Sequence, residues 1–392
     1  MITTETLAAV QHALIDAGVD GWLLYDFRGL NPIAKSLLQL EGLASRRIFG
    51  WIPARGTPVA IEHAIEPGTW VHWPAQWERR VYSSWRTLEA EVAALVGGRT
   101  ILMEYSPGDA VPVVDRVPAG VLEMVRATGA TVRTSADLVS RFFAVWTDAQ
   151  LASHTRAAEH CARIAKSAMA RAGAHVRSGT PIAEHELMAW IQGEFAAAGL
   201  VTDHGPNVSA SENAANPHYE PSAQAPRLLR DGDVLLIDLW ATEPDGIHAD
   251  QTWMASIGTP SPKLLTVWNA VRDARDAAIT LIRERIAAGE AIRGAEADDA
   301  ARGVIVAAGY GASFTHRTGH SIDVRALHGS GPNLDNLETR EERLLIPGVG
   351  FSIEPGVYLP GEFGVRSEVN GYIDAHSALI TPGEPQRDLI IL

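Results

Sequence analysis

VLLIDLWATEPDGIHADQTWMASIG, Val234 to Gly258, contains two apolar runs separated by Pro244-Asp245-Gly246. Pro-Asp-Gly is a turn signal, and the flanking runs are rich in strand formers, so the stretch is expected to fold as a β-hairpin. Each run carries one carboxylate where a strand should be apolar: Asp238 follows Leu235-Leu236-Ile237, and Asp250 lies on the returning run. A hairpin doubles back, so both can reach one point although twelve residues separate them. Burying an unpaired carboxylate costs on the order of several kcal/mol, which leaves protonation, a cationic side chain or a metal as outcomes. Two such groups aimed at one point favour metal.

Further candidates lie downstream: His316 and His320 in THRTGHSID, His328 in ALHGSG, Glu354 in FSIEPG and Glu368 in GVRSEV. Phe351-Ser352-Ile353 is expected as a strand ending in the turn Glu354-Pro355-Gly356. Val365 to Val369 alternates as a strand would, placing Arg366 and Glu368 on one face. One imidazole with four carboxylates is a mostly hard oxygen set that suits Mn, Co or Zn better than a thiolate-seeking metal. It has the capacity to bridge two ions about 3.5–4 Å apart. Singly, an aspartate in a strand or a lone histidine is more often structural; the ordered set changes that balance.

IDLWA…HAD, TGHSI, SIEPG and VRSE resemble the successive metal-ligand motifs of the pita-bread metallopeptidases. The chain is most similar to their proline-specific branch, Xaa-Pro dipeptidase (prolidase) and aminopeptidase P, which adds an N-terminal domain of about this length. The resemblance implies an α/β (α+β) chain with a creatinase-like N-terminal domain, residues 1–146, and a C-terminal pita-bread catalytic domain, residues 147–392. It implies two divalent ions, Mn first, with Asp238 and Asp250 on one and His320 and Glu354 completing the other. Asp250 and Glu368 bridge the pair, and Glu354 also moves the reaction's proton. His218, in NPHYEP, matches the histidine that steadies substrate and oxyanion, and His328 matches a second active-site histidine. Arg366 is a candidate clamp for a peptide carboxylate, and His316 matches a histidine lining the proline pocket. Each has a bland alternative: His218 merely exposed, Arg366 pairing with Glu368 or Asp250, His316 merely packing.

Two departures from the family pattern stand out. The Asp238–Asp250 spacing is one residue longer than usual, and Gly246-Ile247-His248-Ala249 precedes Asp250 where the family has a Gly-Tyr whose hydroxyl supports a metal-binding carboxylate. A bulge is expected to absorb the extra residue, with His248 as a candidate substitute for the tyrosine. His328 also falls one residue late after His320, and Gly329 replaces the usual acidic neighbour.

Elsewhere the chain is less informative about chemistry. Leu7 to Ala17 reads as a helix, Gly21 to Phe27 as a strand, and Arg47 to Ile61 as two strands around Ala54-Arg55-Gly56. Trp70, Trp73, Trp77 and Trp85 are expected mainly as packing residues. Thr147 and Gln150 form a capping box before an Ala-rich helix, which marks the boundary. A helix-helix-strands order then occurs twice: Asp148 to Ala172 and Pro181 to Ala198, later Pro262 to Ala288 and Ala295 to Ala308. Thr180-Pro181 and Ser261-Pro262 are both expected as caps before a first-turn proline. No residue-level repeat accompanies the two halves.

Lys plus Arg is 33 against 47 for Asp plus Glu, a net charge of −14, which argues against nucleic acid as a partner. The single Cys161 forms no internal disulfide and reads as a buried structural thiol. With no basic leader before an apolar run, a soluble cytoplasmic protein is expected, homodimeric like the family and without a membrane partner. Cleavage of Xaa-Pro dipeptides is the leading activity, with a small peptide bearing proline second as partner. Aminopeptidase P action on longer peptides is the close alternative. Creatinase relatives lack the five ligands, methionine aminopeptidases lack the N-terminal domain, and a non-enzymatic binding module would have let the ligands decay.

Overall fold

Strand β1 (Gly21–Asp26) is buried at every position, as a central strand must be. The computed structural model describes residues 1–42 and 44–392. In it the chain divides into two units, Met1–Phe143 and Ala144–Leu392. In the first, α1 (Leu7–Asp16) precedes β1, and Asn31 caps α2 (Pro32–Leu37) by accepting from the amides of Ile33 and Ala34, both at 3.1 Å. Strands β2 (Ile48–Pro53), β3 (Val59–His63) and β4 (Glu78–Tyr82) follow, then α3 (Trp85–Val96), β5 (Thr100–Met103), α4 (Ala119–Ala127), β6 (Thr131–Thr134) and α5 (Ala136–Phe142). They build a mixed sheet in the order β4-β3-β2-β1-β5-β6. Trp70, Trp73 and Trp77 are buried and pack edge to face at 4.9 and 4.8 Å, whereas Trp85 is exposed beneath the guanidinium of Arg86.

Glu104, directly after β5, is fully buried in this unit. It accepts from Trp22 Nε1 at 2.5 Å, Asn31 Nδ2 at 2.9 Å and Ser135 Oγ at 3.3 Å. Burial outweighs these donors and pushes its carboxyl from 4.5 up to about 7. Between those values the unfolded chain has already lost a proton that the folded chain keeps. The stability Glu104 contributes is therefore fully present below pH 4.5 and is lost as pH rises to about 7. Glu104→Gln is expected to remove that slope, on the order of 1–3 kcal/mol across the window, in urea unfolding followed at several pH values. An unchanged slope would show that Glu104 is ionised in the fold.

The second unit opens with α6 (Asp148–Arg177), capped by the reciprocal Thr147–Gln150 bonds, and α7 (Glu184–Ala197). Next come β7 (Asn207–Ala210), β8 (Val234–Ala241), β9 (Ala249–Ser256), α8 (Pro262–Ala287) and α9 (Gly294–Ala307). Strands β10 (Ser321–Ile322), β11 (Gly350–Ile353), β12 (Gly356–Leu359), β13 (Phe363–Arg366), β14 (Val369–Ile373), β15 (Ala378–Thr381) and β16 (Ile390–Ile391) complete it. Two four-stranded sheets result, β16-β9-β8-β7 and β10-β11-β14-β15, with β12-β13 as a separate ribbon. Leu235, Ile237 and Leu239 of β8 pack with Ala157, Cys161, Ile164 and Ala168 of α6, and burial pushes the Cys161 thiol upward. Val234 and Leu236 point the other way, into a core shared with Val267, Val271 and Ala274 of α8 and Phe351 and Ile353 of β11. Burial of both faces explains the near-continuous apolar run on β8. Among the described residues no helix is long and apolar enough to cross a membrane.

The repeated order has a residue-level counterpart in the backbone. Glu186 accepts from the Ala183 amide and Glu296 from the Arg293 amide, each at 2.8 Å, to start α7 and α9. The Glu184 amide donates to Arg227 O and the Gly294 amide to Arg343 O, at 2.9 and 3.3 Å. The expected cap at Thr180-Pro181 is corrected by this: α7 begins after Ala183, because Glu186 reaches back to it. Ser261 does cap α8, accepting from the Leu264 amide at 3.1 Å.

Candidate metal centre

The β8–β9 register pairs Asp238 with Thr252 and Trp240 with Asp250, so the two aspartates lie diagonally on one face of the hairpin. That diagonal is how residues twelve apart reach one point. Asn370 on β14 clamps the backbone of Asp250 from both sides: its Oδ1 accepts from the Asp250 amide at 2.9 Å and its Nδ2 donates to Asp250 O at 2.8 Å. Glu368 is two residues before Asn370, so the same clamp brings it to the hairpin. The single strand expected over Val365 to Val369 is not formed. β13 ends at Arg366 and β14 begins at Val369, in different sheets, and Glu368 occupies the break with Oε2 at 4.0 Å from Arg366 Nε.

His320 and Glu354 come from neighbouring strand ends. The Glu354 amide donates to Thr318 O at 2.7 Å and the Ser352 amide to His320 O at 2.8 Å, which sets the two side chains diagonally. Gly319 permits this approach, since a Cβ there would stand 1.9 Å from Ser352 O. Ser352 Oγ accepts from the His320 amide and donates to Glu354 Oε1, both at 2.9 Å. His320 Nδ1 donates to Ser321 O at 3.1 Å, and its Nε2 faces Asp250 Oδ2 and Glu354 Oε1, each at 3.4 Å, carboxylates that outweigh burial and raise the imidazole's pKa.

Four carboxylates and one imidazole are thus gathered around a single guanidinium, a deficit of positive charge in a buried place. Burial, with the nearby Asp238 and Glu354, pushes Asp250 up to about 6. Burial and the charges of Asp250, Glu354 and Asp238 push Glu368 well above the usual carboxylate range. Burial raises Glu354 too, but His320 and Arg366 outweigh it and hold it low. Glu368 Oε1 is buried with no hydrogen-bond partner among the described residues. Ligand atoms of Asp250, His320 and Glu368 lie within 4.8 Å of one another. An orphaned carboxylate oxygen, an imidazole nitrogen aimed between two carboxylates and mutually repelling carboxylates are what a divalent cation relieves, so these residues fit such an ion.

Thr252 carries no chemical signal of its own in the sequence, although its place two residues after Asp250 puts it on the same face. Its hydroxyl donates to Glu368 Oε2 at 2.7 Å, lies 3.2 Å from Asp238 Oδ1, and accepts from Arg366 Nε at 2.8 Å. Thr252 therefore supports the carboxylates where the family's tyrosine is missing. His248 does not: its contribution is a main-chain carbonyl that accepts from His154 Nδ1 at 2.8 Å. Thr252→Val is expected to weaken metal binding by roughly 10–100-fold, read by titration of the apo-protein with Mn; unchanged affinity would remove Thr252 from this role.

A cavity of about 450 Å³ opens over the cluster, lined by Asp238, Asp250, His320, Glu354, Glu368 and, around them, His218, His328, Arg366 and Trp240. His218 is exposed on a turn whose amide bonds Asn216 Oδ1 at 3.1 Å. The late-falling His328 reaches the site nonetheless, with its ring 4.2 Å from that of His320. Asp323 orders the intervening loop by accepting from the amides of Arg325, Ala326 and Ser330, which absorbs the extra residue. The charge of His320 together with burial pushes His328 down to about 4, so it is neutral at pH 7. Arg366 is paired within the cluster: its Nη2 pairs with Asp238, its Nε with Thr252, and its Nη1 lies 3.4 Å from Tyr358 OH. His316 is not among the residues lining the cavity. Its Nδ1 donates to Arg317 O at 2.7 Å and its Nε2 accepts from Tyr358 OH at 2.8 Å.

The sequence pattern of metallopeptidase family M24 matches residues 156–375, which includes all five gathered ligand candidates. The chain belongs to this family. The "Probable dipeptidase PepE" of Mycobacterium bovis is 34% identical over 161 residues, 41% of this chain and 39% of that protein. The Xaa-Pro dipeptidase of Lactobacillus helveticus is 37% identical over 166 residues, 42% of this chain and 41% of that one. The matched stretch thus spans about two fifths of these curated relatives. The crystal structure of dipeptidase PepE from Mycobacterium ulcerans superimposes with a TM-score of 0.74 at 24% identity, covering 99% of this chain and 97% of that one. The pita-bread α/β fold of this M24 chain is thereby established.

Proposed function

We propose that this M24 chain hydrolyses the peptide bond of Xaa-Pro dipeptides, with Asp238, Asp250, His320, Glu354 and Glu368 holding two divalent ions. The observation that carries this reading is that those five side chains line one cavity, with ligand atoms of Asp250, His320 and Glu368 within 4.8 Å of one another and Glu368 Oε1 without a hydrogen-bond partner among the described residues. Bound divalent ions polarise a carbonyl and bring the pKa of water toward neutrality. The donors are mainly oxygen, which favours Mn. The cavity of about 450 Å³ is in the range of small-ligand sites, and similarity to an Xaa-Pro dipeptidase favours a proline substrate.

The chain's own groups divide the remaining work. Glu354, held low by His320 and Arg366, accepts a proton from the water whose oxygen adds to the substrate carbonyl carbon and returns it to the prolyl nitrogen, which has no hydrogen of its own and must gain one as the C–N bond breaks. His218 at the cavity mouth donates to the substrate carbonyl as charge develops there. Neutral His328 lies beside His320 as a second hydrogen-bonding group. Arg366 balances Asp238 and Glu368, and a substrate carboxylate competes with Asp238 for its fork.

The test compares Ala-Pro with Ala-Pro-Ala in Mn-containing buffer. Higher kcat/KM on the dipeptide is expected. A clear tripeptide preference would move the chain to aminopeptidase P action, and turnover of neither would leave the proline reading without support.

A further inference from the structure

Glu184 is only 1% exposed, yet it has no part in the five-residue centre. Its Oε1 accepts from the Ala210 amide at 2.6 Å and its Oε2 from Tyr219 OH at 2.6 Å, with Asn213 Nδ2 at 3.2 and 3.1 Å from the two oxygens. Tyr219 follows His218, and both line the cavity with Pro217, Glu220 and Pro221. The segment's other ties are weaker or internal: Asn207 Nδ2 to Pro217 O at 3.3 Å, and turn bonds from His218 and Tyr219 to Asn216. A charge-assisted bond to a buried carboxylate is thus its strongest anchor.

Helix formation does not call for that carboxylate. In the second half of the unit, Gly294 occupies the equivalent helix start, where the same backbone bonds form with no side chain. The charge at Glu184 therefore answers a demand specific to the first half, the half that carries His218.

We propose that Glu184 and Tyr219 form a tether that positions His218 over the metal centre, a positioning pair for the hydrolysis argued above and resting on that reading. Without the Tyr219 hydroxyl, Pro217 to Pro221 keeps its turn but loses its fixed distance from the cavity floor. Such a loss is felt in turnover more than in folding.

Tyr219→Phe tests this by removing one oxygen. The expected result is a roughly tenfold fall in kcat/KM for Ala-Pro, carried mainly by kcat, with Mn affinity unchanged. In a His218→Ala background the same substitution is expected to change kcat/KM by less than about twofold, because its target is gone. An equal loss in both backgrounds, or none in the wild type, would overturn the tether. A second readout is independent of activity: in ring-labelled histidine NMR spectra, with His218 assigned by difference against His218→Ala, Tyr219→Phe is expected to sharpen and shift the His218 signal. An unmoved signal would also overturn the tether. A wild-type protein that cleaves no Xaa-Pro peptide defeats the hydrolase reading, while the tether is still decided by the ring signal.

Discussion

Asp250→Ala is expected to lower kcat/KM for Ala-Pro by well over the roughly 10–100-fold typical of residues that merely support a metal ligand, in practice to the detection limit. Asp250 is buried at the centre of the cluster, with Asp238 on its own hairpin and His320 Nε2 3.4 Å from its Oδ2. Its backbone is held by Asn370, so removing the carboxylate leaves the chain path intact. Metal content measured on the same sample separates this from unfolding: the variant is expected to lose Mn while its circular dichroism stays native. Retained activity would mean that Asp250 is an ordinary buried acid.

Glu368→Gln is expected to do two things of opposite sign. Glu368 is surrounded by Asp250, Glu354 and Asp238, and burial with these charges pushes its carboxyl far up. Among the described residues its Oε1 has no hydrogen-bond partner. In metal-free protein the neutral amide relieves repulsion, so Tm is expected to rise, by about 2–4 °C for each kcal/mol relieved in a domain of this size. In the wild type, saturating Mn at about 100 times its Kd adds some 2.7 kcal/mol of stability. Most of that gain, and the activity, are expected to vanish in the variant. Melting curves with and without Mn measure both effects. A lower metal-free Tm together with an undiminished Mn-dependent rise would contradict the assignment.

Much of this site is written locally in the sequence. Asp238 and Asp250 stand out because a carboxylate in an apolar strand needs an explanation, and the Pro-Asp-Gly turn places them together. What the sequence conceals depends on pairing between distant strands. Asn370 is an unremarked residue until β14 is seen to flank β9, and Thr252 becomes informative only once Arg366 and Glu368 are known to meet its hydroxyl. The expected strand through Arg366 and Glu368 failed because period-two alternation does not reveal that the chain changes sheets at Ser367. Thr180-Pro181 misplaced a helix start because capping by Glu186 from within the helix leaves a weaker local signal than Thr-Pro does. In the N-terminal unit β1, β2, β3 and the packing of Trp70, Trp73 and Trp77 are legible in the sequence, whereas β4, β5 and β6 are not read from it. The buried Glu104 was not seen, since its three donors come from three separate segments.

The central claim, that five side chains of this M24 chain hold two divalent ions, is tested most directly by anomalous diffraction from Mn-soaked crystals. Two peaks are expected, both within coordinating distance of Asp250 and Glu368, one also reached by Asp238 and the other by His320 and Glu354. Peaks elsewhere, or no peak at this cluster at saturating Mn, would contradict it.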